Sequence, residues 1–382
     1  MSEHTVSRRD ALLNLGSVGT GAVLAVGALA SAPAHASGGT YYPPGNILNF
    51  GADPTGSADS SPAFAAAITA LWNSAEGCAL YVPSGKYKIK QPIVLKTKIK
   101  LYGDGFSSVI QCAFDGSTVV PNVTAVAAGV SLAYAPMVCN TGHISWWSIQ
   151  DLQFDGLNGN AYGAWFADAA HGNMRNVYFL NLGKRPYTIL NSTFTDHHHL
   201  AFYNCGDGVL CSNCQGFSFD TLGLDRIGGA YSFQWRAASA GYGPLDMRNV
   251  WCENSPERYN TIGYLGLGGY HIFVRTILAS SNGNPNPNLR AIHLFDNGDT
   301  LNVDNVNLTS TTAHGVDIGQ IADYQNFYYY IPTGSVGNAL SGHINLAKVI
   351  GGGVIAKGSG WSVNGTIQPP VAPASNTVVS LS

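Results

Sequence analysis

In a chain of 382 residues with only 11% charged side chains, the groups able to move a proton or hold a charge gather in the middle. Asp168 follows Trp165-Phe166, Asp196 precedes the run His197-His198-His199, and Asp207 lies in Cys205-Gly-Asp-Gly208. Asp225-Arg226 comes next, Arg236 follows Trp235, and Glu253 follows Trp251-Cys252. Two chemistries use such a set. Hydrolysis of a glycosidic bond takes two carboxyl groups facing across it, one donating a proton and the other activating water or attacking. Elimination from a uronic acid takes a base together with positive charge, from a cation or from Arg or Lys, to neutralise the sugar carboxylate. No cofactor is fixed by the sequence; calcium is a candidate for the cation of an elimination. Asp168, Asp196, His197, Asp207, Asp225, Arg226, Arg236 and Glu253 are therefore the catalytic candidates, although each carboxylate taken singly also suits a turn cap or a solvated corner.

Aromatic residues share the same stretch. A ring face exposed in a groove stacks on a sugar ring, which makes Trp165, Trp235 and Tyr264 the candidate substrate contacts; stacking inside the fold is the competing use. On a strand, His197 and His199 would point one way and His198 the other. Cys205, Cys211 and Cys214 lie near these histidines, yet they read as small buried groups stacked between layers rather than as zinc ligands. The seven cysteines cannot all pair.

The elements that must position these groups repeat. From residue 144 onward an apolar strand, a turn, a second strand and a polar Asn/Gly exit recur. The first strands begin near 161, 186, 208, 230, 261 and 290, giving steps of 25, 22, 22, 31 and 29 residues. Such a period with variable loops predicts a solenoid whose coils each bury a thin slice and stack into a continuous core. Extra residues in the two longest steps must leave as loops, at 241–244 and 282–287. Equivalent positions of successive coils become neighbours, so a groove along the stack suits a linear polymer and its working residues are to be sought in register. Asn181, Asn204 and Asn254 sit near coil exits, where their side chains are expected to stack from coil to coil and bond the backbone of the turns. After Gly319 the repeat fades, and a different closure is expected to begin at 327–330. No linker interrupts the pattern, so 37–365 reads as one elongated all-β domain and 366–382 as a cap strand or tail.

Before the repeats comes a stretch with a fixed order of parts, 46–111. Ser60 or Ser61 can cap a helix, Pro62 suits its first position, and Phe64, Ile68, Leu71 and Trp72 share one stripe. Short β runs then follow, broken at Pro83-Ser84-Gly85, Gln91-Pro92 and Gly103-Asp104-Gly105. Phe50-Gly51-Ala52-Asp53, the Asp59-Ser60 step, Leu80-Tyr81-Val82-Pro83-Ser84-Gly85-Lys86-Tyr87 and Leu101-Tyr102-Gly103-Asp104-Gly105 resemble the N-terminal signature of the pectate-lyase-like right-handed parallel β-helix superfamily. The resemblance implies that fold, with an N-terminal capping helix. Its members include polysaccharide lyases, glycoside hydrolases, sugar epimerases and phage tailspikes, so it implies no single reaction. The paired-aspartate, His-Gly and Arg-x-Lys set of polygalacturonases is not found, Cys205-Gly-Asp-Gly208 being a faint echo. Nor are the Asp-Pro-His of mannuronan epimerases or the Trp-Ile-Asp-His of pectate lyases.

Residues 1–36 read as an address. Ser7-Arg8-Arg9-Asp10-Ala11-Leu12-Leu13 is a twin-arginine pattern, a Gly/Ala-rich apolar run follows, and Ala34-His35-Ala36 is a small-residue cleavage site. The expected partners are thus the twin-arginine export machinery and a polysaccharide, with a periplasmic or secreted location and no membrane anchor once the segment is removed. The formal net charge of −3 and the lack of a basic patch exclude nucleic acid. Oligomeric state stays open. An exported enzyme that cleaves a polysaccharide is the leading expectation. The alternatives are a non-catalytic carbohydrate-binding or surface protein and a tailspike-like structural module. The carboxylates decide between them, according to whether they converge in one groove.

Overall fold

The computed structural model describes residues 45–74, 78–117, 132, 134–229, 231–236 and 243–253, then a series of strands between 265 and 381 whose side chains are described only for 272–275. Two sheets make up the molecule. The first is built of short strands: Ile93–Val94, Pro136–Cys139, Tyr162–Ala167, Tyr187–Leu190, Val209–Ser212, Phe233–Arg236, Leu265–Leu267, Arg290–Leu294 and His314–Ile318, stacked in parallel register. The second holds long strands, among them Ser148–Gly159, Ala169–Leu182, Thr193–Cys205, Gln215–Ile227 and Leu245–Glu253. The result is a parallel β-solenoid of about 7 turns. The short strands begin within a few residues of the expected starts.

Each coil has one face more than the two strands legible in the sequence. The long strands turn a corner at Asp151, Asn176, His199, Thr221 and Asn249, all with positive φ. Inward alternation resets there: Met174 and Val177 are both buried, with Arg175 and Asn176 between them outside the core. A single left-handed residue suffices to turn the chain, and Asn and Asp tolerate that conformation. Hydrogen bonds hold the corner from coil to coil, with Asn176 Nδ2 donating to Asp151 Oδ1 at 2.7 Å. The short-strand sheet, the segment before this corner and the segment after it are called the first, second and third faces.

A second corner follows the third face. Asn181 and Asn204 are left-handed there, and Asn204 Nδ2 donates to Asn181 Oδ1 at 2.9 Å and to Asn158 Oδ1 at 3.1 Å. Asparagine stacks on asparagine as expected, with the bonds between coils running from side chain to side chain; Asn254 lies outside the described residues. The core between the faces is apolar and stacked. Phe154, Phe179 and Phe202 form a ladder with ring centroids 4.9 and 5.5 Å apart.

The helix α1, Ser61–Trp72, lies at the N-terminal end. Its apolar side buries Phe64 and Ile68, whereas Trp72 is 49% exposed with the Lys96 ammonium 4.5 Å from its ring. Neither serine hydroxyl caps the helix. Ser60 Oγ accepts from Asp53 N, and Ser61 Oγ accepts from the N–H groups of Lys90 and Gln91. Asp59 Oδ1 takes the Ser61 N–H instead. The serines are spent on docking the helix to the coil below. At the other end parallel stacking stops: Ala339–Val349 runs antiparallel to Thr300–Thr309, Gly353–Val363 antiparallel to it in turn, and Phe327–Tyr330 antiparallel to His314–Ile318. Val378–Leu381 pairs in parallel with Ile355–Gly358.

Candidate functional site

The candidate carboxylates divide among the faces. On the first face, Asp168 stands at the trailing corner with its side chain 65% exposed, its Oδ1 3.0 Å from His143 Nδ1. Asp207 stands at the leading end, paired with Arg185 and accepting the Gly208 N–H at 2.8 Å. The columns of Asp168 and Asp207 are six positions apart along the strand, which is roughly 20 Å. Glycosidases hold their carboxyl pair at about 5 to 9.5 Å, so these two do not cooperate. Arg236 ends the strand Phe233–Arg236, exposed. Asp196 lies on the second face, exposed, accepting from Ser218 Oγ at 2.7 Å.

The third face is different. Asp225 and Glu253 are register partners on adjacent coils, both on the outward side, so their backbones are about 4.8 Å apart. Tyr203 precedes them in the same column. Arg226, at the left-handed corner, lays its guanidinium 5.2 Å from the Tyr203 ring centroid. The neighbouring outward column reads Tyr178, Ala201, Gly223, Trp251. Two small residues between two aromatics leave a shallow notch. A Cβ built on Gly223 would find only ordinary contacts, the nearest the Ala201 Cβ at 3.7 Å. One wall is Tyr178, braced by Phe106 at 3.9 Å, its phenol pushed up to about 12 by burial. The other is Trp251, whose buried Nε1 has no hydrogen-bond partner among the described residues. Asp225 and Glu253 edge the notch, with Arg226 beside them.

The notch therefore gathers Asp225, Arg226 and Glu253 of the expected set and leaves the others elsewhere. His197 is 1% exposed. Its Nδ1 lies 2.9 Å from Ser218 O and its Nε2 2.9 Å from Tyr187 Oη, and burial depresses its pKa to about 3. It is a neutral core histidine with both nitrogens occupied. His199 does not share its side, because the left-handed corner falls on it and puts it outside with His198. Trp165 and Trp235 are 2% and 0% exposed and offer no face to a sugar: Trp235 packs in the interior with Phe217. Trp165 belongs to a small separate cluster with Cys139, Ala167, Leu190 and Leu210. Tyr264 lies outside the described residues, as do 282–287. Cys205 and Cys214 are buried, their thiols donating to carbonyls and pushed up to about 12. Among the described residues, no group of three or more His, Cys, Asp or Glu is placed to hold a metal.

Tyr178, Ala201, Tyr203 and Gly223 escaped sequence reasoning. One signal could have found them: each stands two residues after, or four after, the residue that turns the corner between faces, so they repeat in step with Asp225 and Glu253 once that corner is known.

A family profile described as "Rhamnogalacturonase A/epimerase, pectate lyase-like" matches residues 45–131, the part that carries the N-terminal signature. Among curated proteins, none matches the sequence. Among solved structures, the chain is similar to ORF18 of Geobacillus virus E2 (13% identity, TM-score 0.42, covering 86% of this chain and 78% of the other). It is similar also to an exopolygalacturonase from Thermotoga maritima (14%, TM-score 0.45, 76% and 94%). A third is the surface protein and adhesin PfbA of Streptococcus pneumoniae (11%, TM-score 0.43, 72% and 80%). Among the described residues no helix is long and apolar enough to cross a membrane.

Proposed function

We propose that the chain is an exported carbohydrate-active protein that binds a polysaccharide across the third face and hydrolyses it there, with Asp225 and Glu253 as the carboxylate pair. The observation that carries this reading is the placement of Asp225 and Glu253 side by side, outward, on adjacent coils. Adjacent coils favour the closer of the two carboxyl separations, about 5–5.5 Å, at which one group attacks the anomeric carbon while the other protonates the leaving oxygen; the outcome is retention. Trp251, half-buried, supplies a ring for the sugar, Tyr178 backs the notch from beneath Phe106, and Arg226 supplies donors for the sugar hydroxyls. Elimination fits less well, because two carboxylates beside the substrate would repel a uronate rather than neutralise it. The family profile over 45–131 supports a carbohydrate as ligand, and the twin-arginine segment supports export to the periplasm or beyond.

A second reading has one observation in its favour. Asp168, Asp196 and Asp207 are spread over other faces, which suits a carbohydrate-binding surface without turnover. Incubating the full chain with neutral and uronic-acid polysaccharides, with and without calcium, and following reducing ends together with ultraviolet absorbance of unsaturated ends tests both. Reducing ends without the absorbance are expected. A rise in both would replace hydrolysis by elimination, and binding without either would leave the second reading.

A further inference from the structure

The second face carries an aromatic ladder that the notch does not use. Trp146, His171 and Phe194 occupy one column on successive coils: Ala169 and Ala170 pair with Ile144 and Ser145, and Ala170 pairs with Thr193. Trp146 and His171 stack at 4.3 Å and 9°, His171 and Phe194 at 5.4 Å and 12°. All three are exposed, Trp146 by 62% and Phe194 by 54%.

Their backbone is left-handed, with φ of 61°, 49° and 52°. Elsewhere the chain mostly gives this conformation to Asn or Asp, as at Asp151, Asp168, Asn176, Asn181, Asn191, Asn204, Asn213 and Asn249, whose short polar groups bond locally. A bulky ring gains nothing there and costs about 1–2 kcal/mol per residue. Presenting rings outward is what the column achieves.

The two ends of the ladder differ. Phe194 lies against Gly216, where a Cβ would approach its ring to 2.8 Å, so that face is closed. Among the described residues the aromatic partner of Trp146 is His171, and 62% of the Trp146 surface stays exposed to solvent. The same column on the preceding coil holds Lys98, exposed and also left-handed, whose N–H donates to Ser145 O. Polar residues flank the column on both sides, His143 and Asp168 towards the first face, Gln150, Asn173 and Asp196 further along the second.

We propose that Trp146 is a platform for one hexopyranose unit of a polysaccharide, held in orientation by His171 and Phe194 behind it. The apolar face of the sugar stacks on the exposed indole, and its equatorial hydroxyls meet the polar flanks. The site lies on another face than Asp225 and Glu253, so it anchors the polymer without touching the bond cleaved. Binding here is separable from turnover.

The test is affinity electrophoresis of the full chain in gels carrying hydroxyethyl cellulose, galactomannan or polygalacturonate. Wild type is expected to be retarded by at least one of these. Trp146→Ala should weaken that retardation about tenfold, the equivalent of one lost stacking contact, and Trp146→Phe should restore part of it. Phe194→Ala should have a smaller effect of the same sign. Hydrolysis of a short soluble oligosaccharide should be unchanged in Trp146→Ala, and retardation unchanged in the Asp225→Asn, Glu253→Gln double variant, which separates this site from the notch. No retardation of wild type in any gel, or equal retardation of Trp146→Ala, would overturn the proposal.

Discussion

Tyr187 Oη lies 2.9 Å from His197 Nε2 inside the solenoid, although the two belong to different faces of one coil. With Nδ1 bonded to the Ser218 carbonyl on the next coil, the ring carries its proton on Nδ1 and accepts the phenol's. It also stacks on Phe219 at 4.0 Å and 3°. A polar node thus pins two coils and two faces together inside a largely apolar core.

That node makes stability pH-dependent. The folded pKa of His197 is about 3, below its unfolded value of 6.5, so the unfolded chain binds a proton first as pH falls. Stability from this group is complete above about pH 6.5 and declines towards pH 3. His197→Phe should keep the stacking, lose about 1–3 kcal/mol at pH 7 through the orphaned phenol and carbonyl, and flatten the fall in Tm between pH 6.5 and 4. Thermal melts across that range check it.

The turn after Phe50 depends on Asp53. Its carboxylate accepts the N–H groups of Thr55, Ser57 and Ala58 and the Thr55 hydroxyl, which hold its pKa at about 2. Its contribution is present above the unfolded value near 3.8 and is lost as pH falls towards 2. Asp53→Ala should lower Tm at pH 7 and match wild type near pH 2; an equal deficit at both would show that the loop is held otherwise.

At the corner after the third face, Asn204 combines left-handed φ with two donated bonds. Asn204→Ala should cost about 1–2 kcal/mol, and Asn204→Gly less, because glycine relieves the backbone but not the lost bonds. Chemical denaturation of the three proteins gives the order.

The floor of the notch offers a test of the site without touching its carboxylates. Gly223 has ordinary φ and room for a side chain, so Gly223→Leu should fold with unchanged Tm while filling the space between Tyr178 and Trp251. Polysaccharide cleavage should drop at least about tenfold, mainly through KM. Unchanged kinetics with an unchanged Tm would move the substrate off this face.

Much of this was legible in the sequence. The coil starts were visible because each short strand is an apolar run bounded by Gly, Asn or Pro. The signature in 46–111 was visible because its carboxylates do structural work: Asp53 closes one turn, Asp59 the helix start, and Asp104 ties Tyr81 and Ser84 to the next coil. What stayed hidden was the corner inside each long strand. Asn176, His199 and Thr221 turn the chain without glycine or proline, and that corner decides which outward residues share a face. Without it, Asp168, Asp196 and Asp225 looked equivalent. Two of the aromatic candidates fail for a related reason: Trp235 alternates inward and Trp165 is covered, whereas Trp146 and Phe194 reach solvent through backbone conformations that no pattern of residue types announces.

The most direct measurement is the rate of reducing-end release from a polysaccharide that wild type cleaves, compared among Asp225→Asn, Glu253→Gln, Asp168→Asn and Asp196→Asn at equal Tm. The first two should be slower by about 10²–10⁴-fold while still binding the polymer, and the last two should match wild type. Cleavage at the wild-type rate by Asp225→Asn or Glu253→Gln, or an equal loss in Asp168→Asn, would contradict the assignment of the third-face notch as the place of reaction.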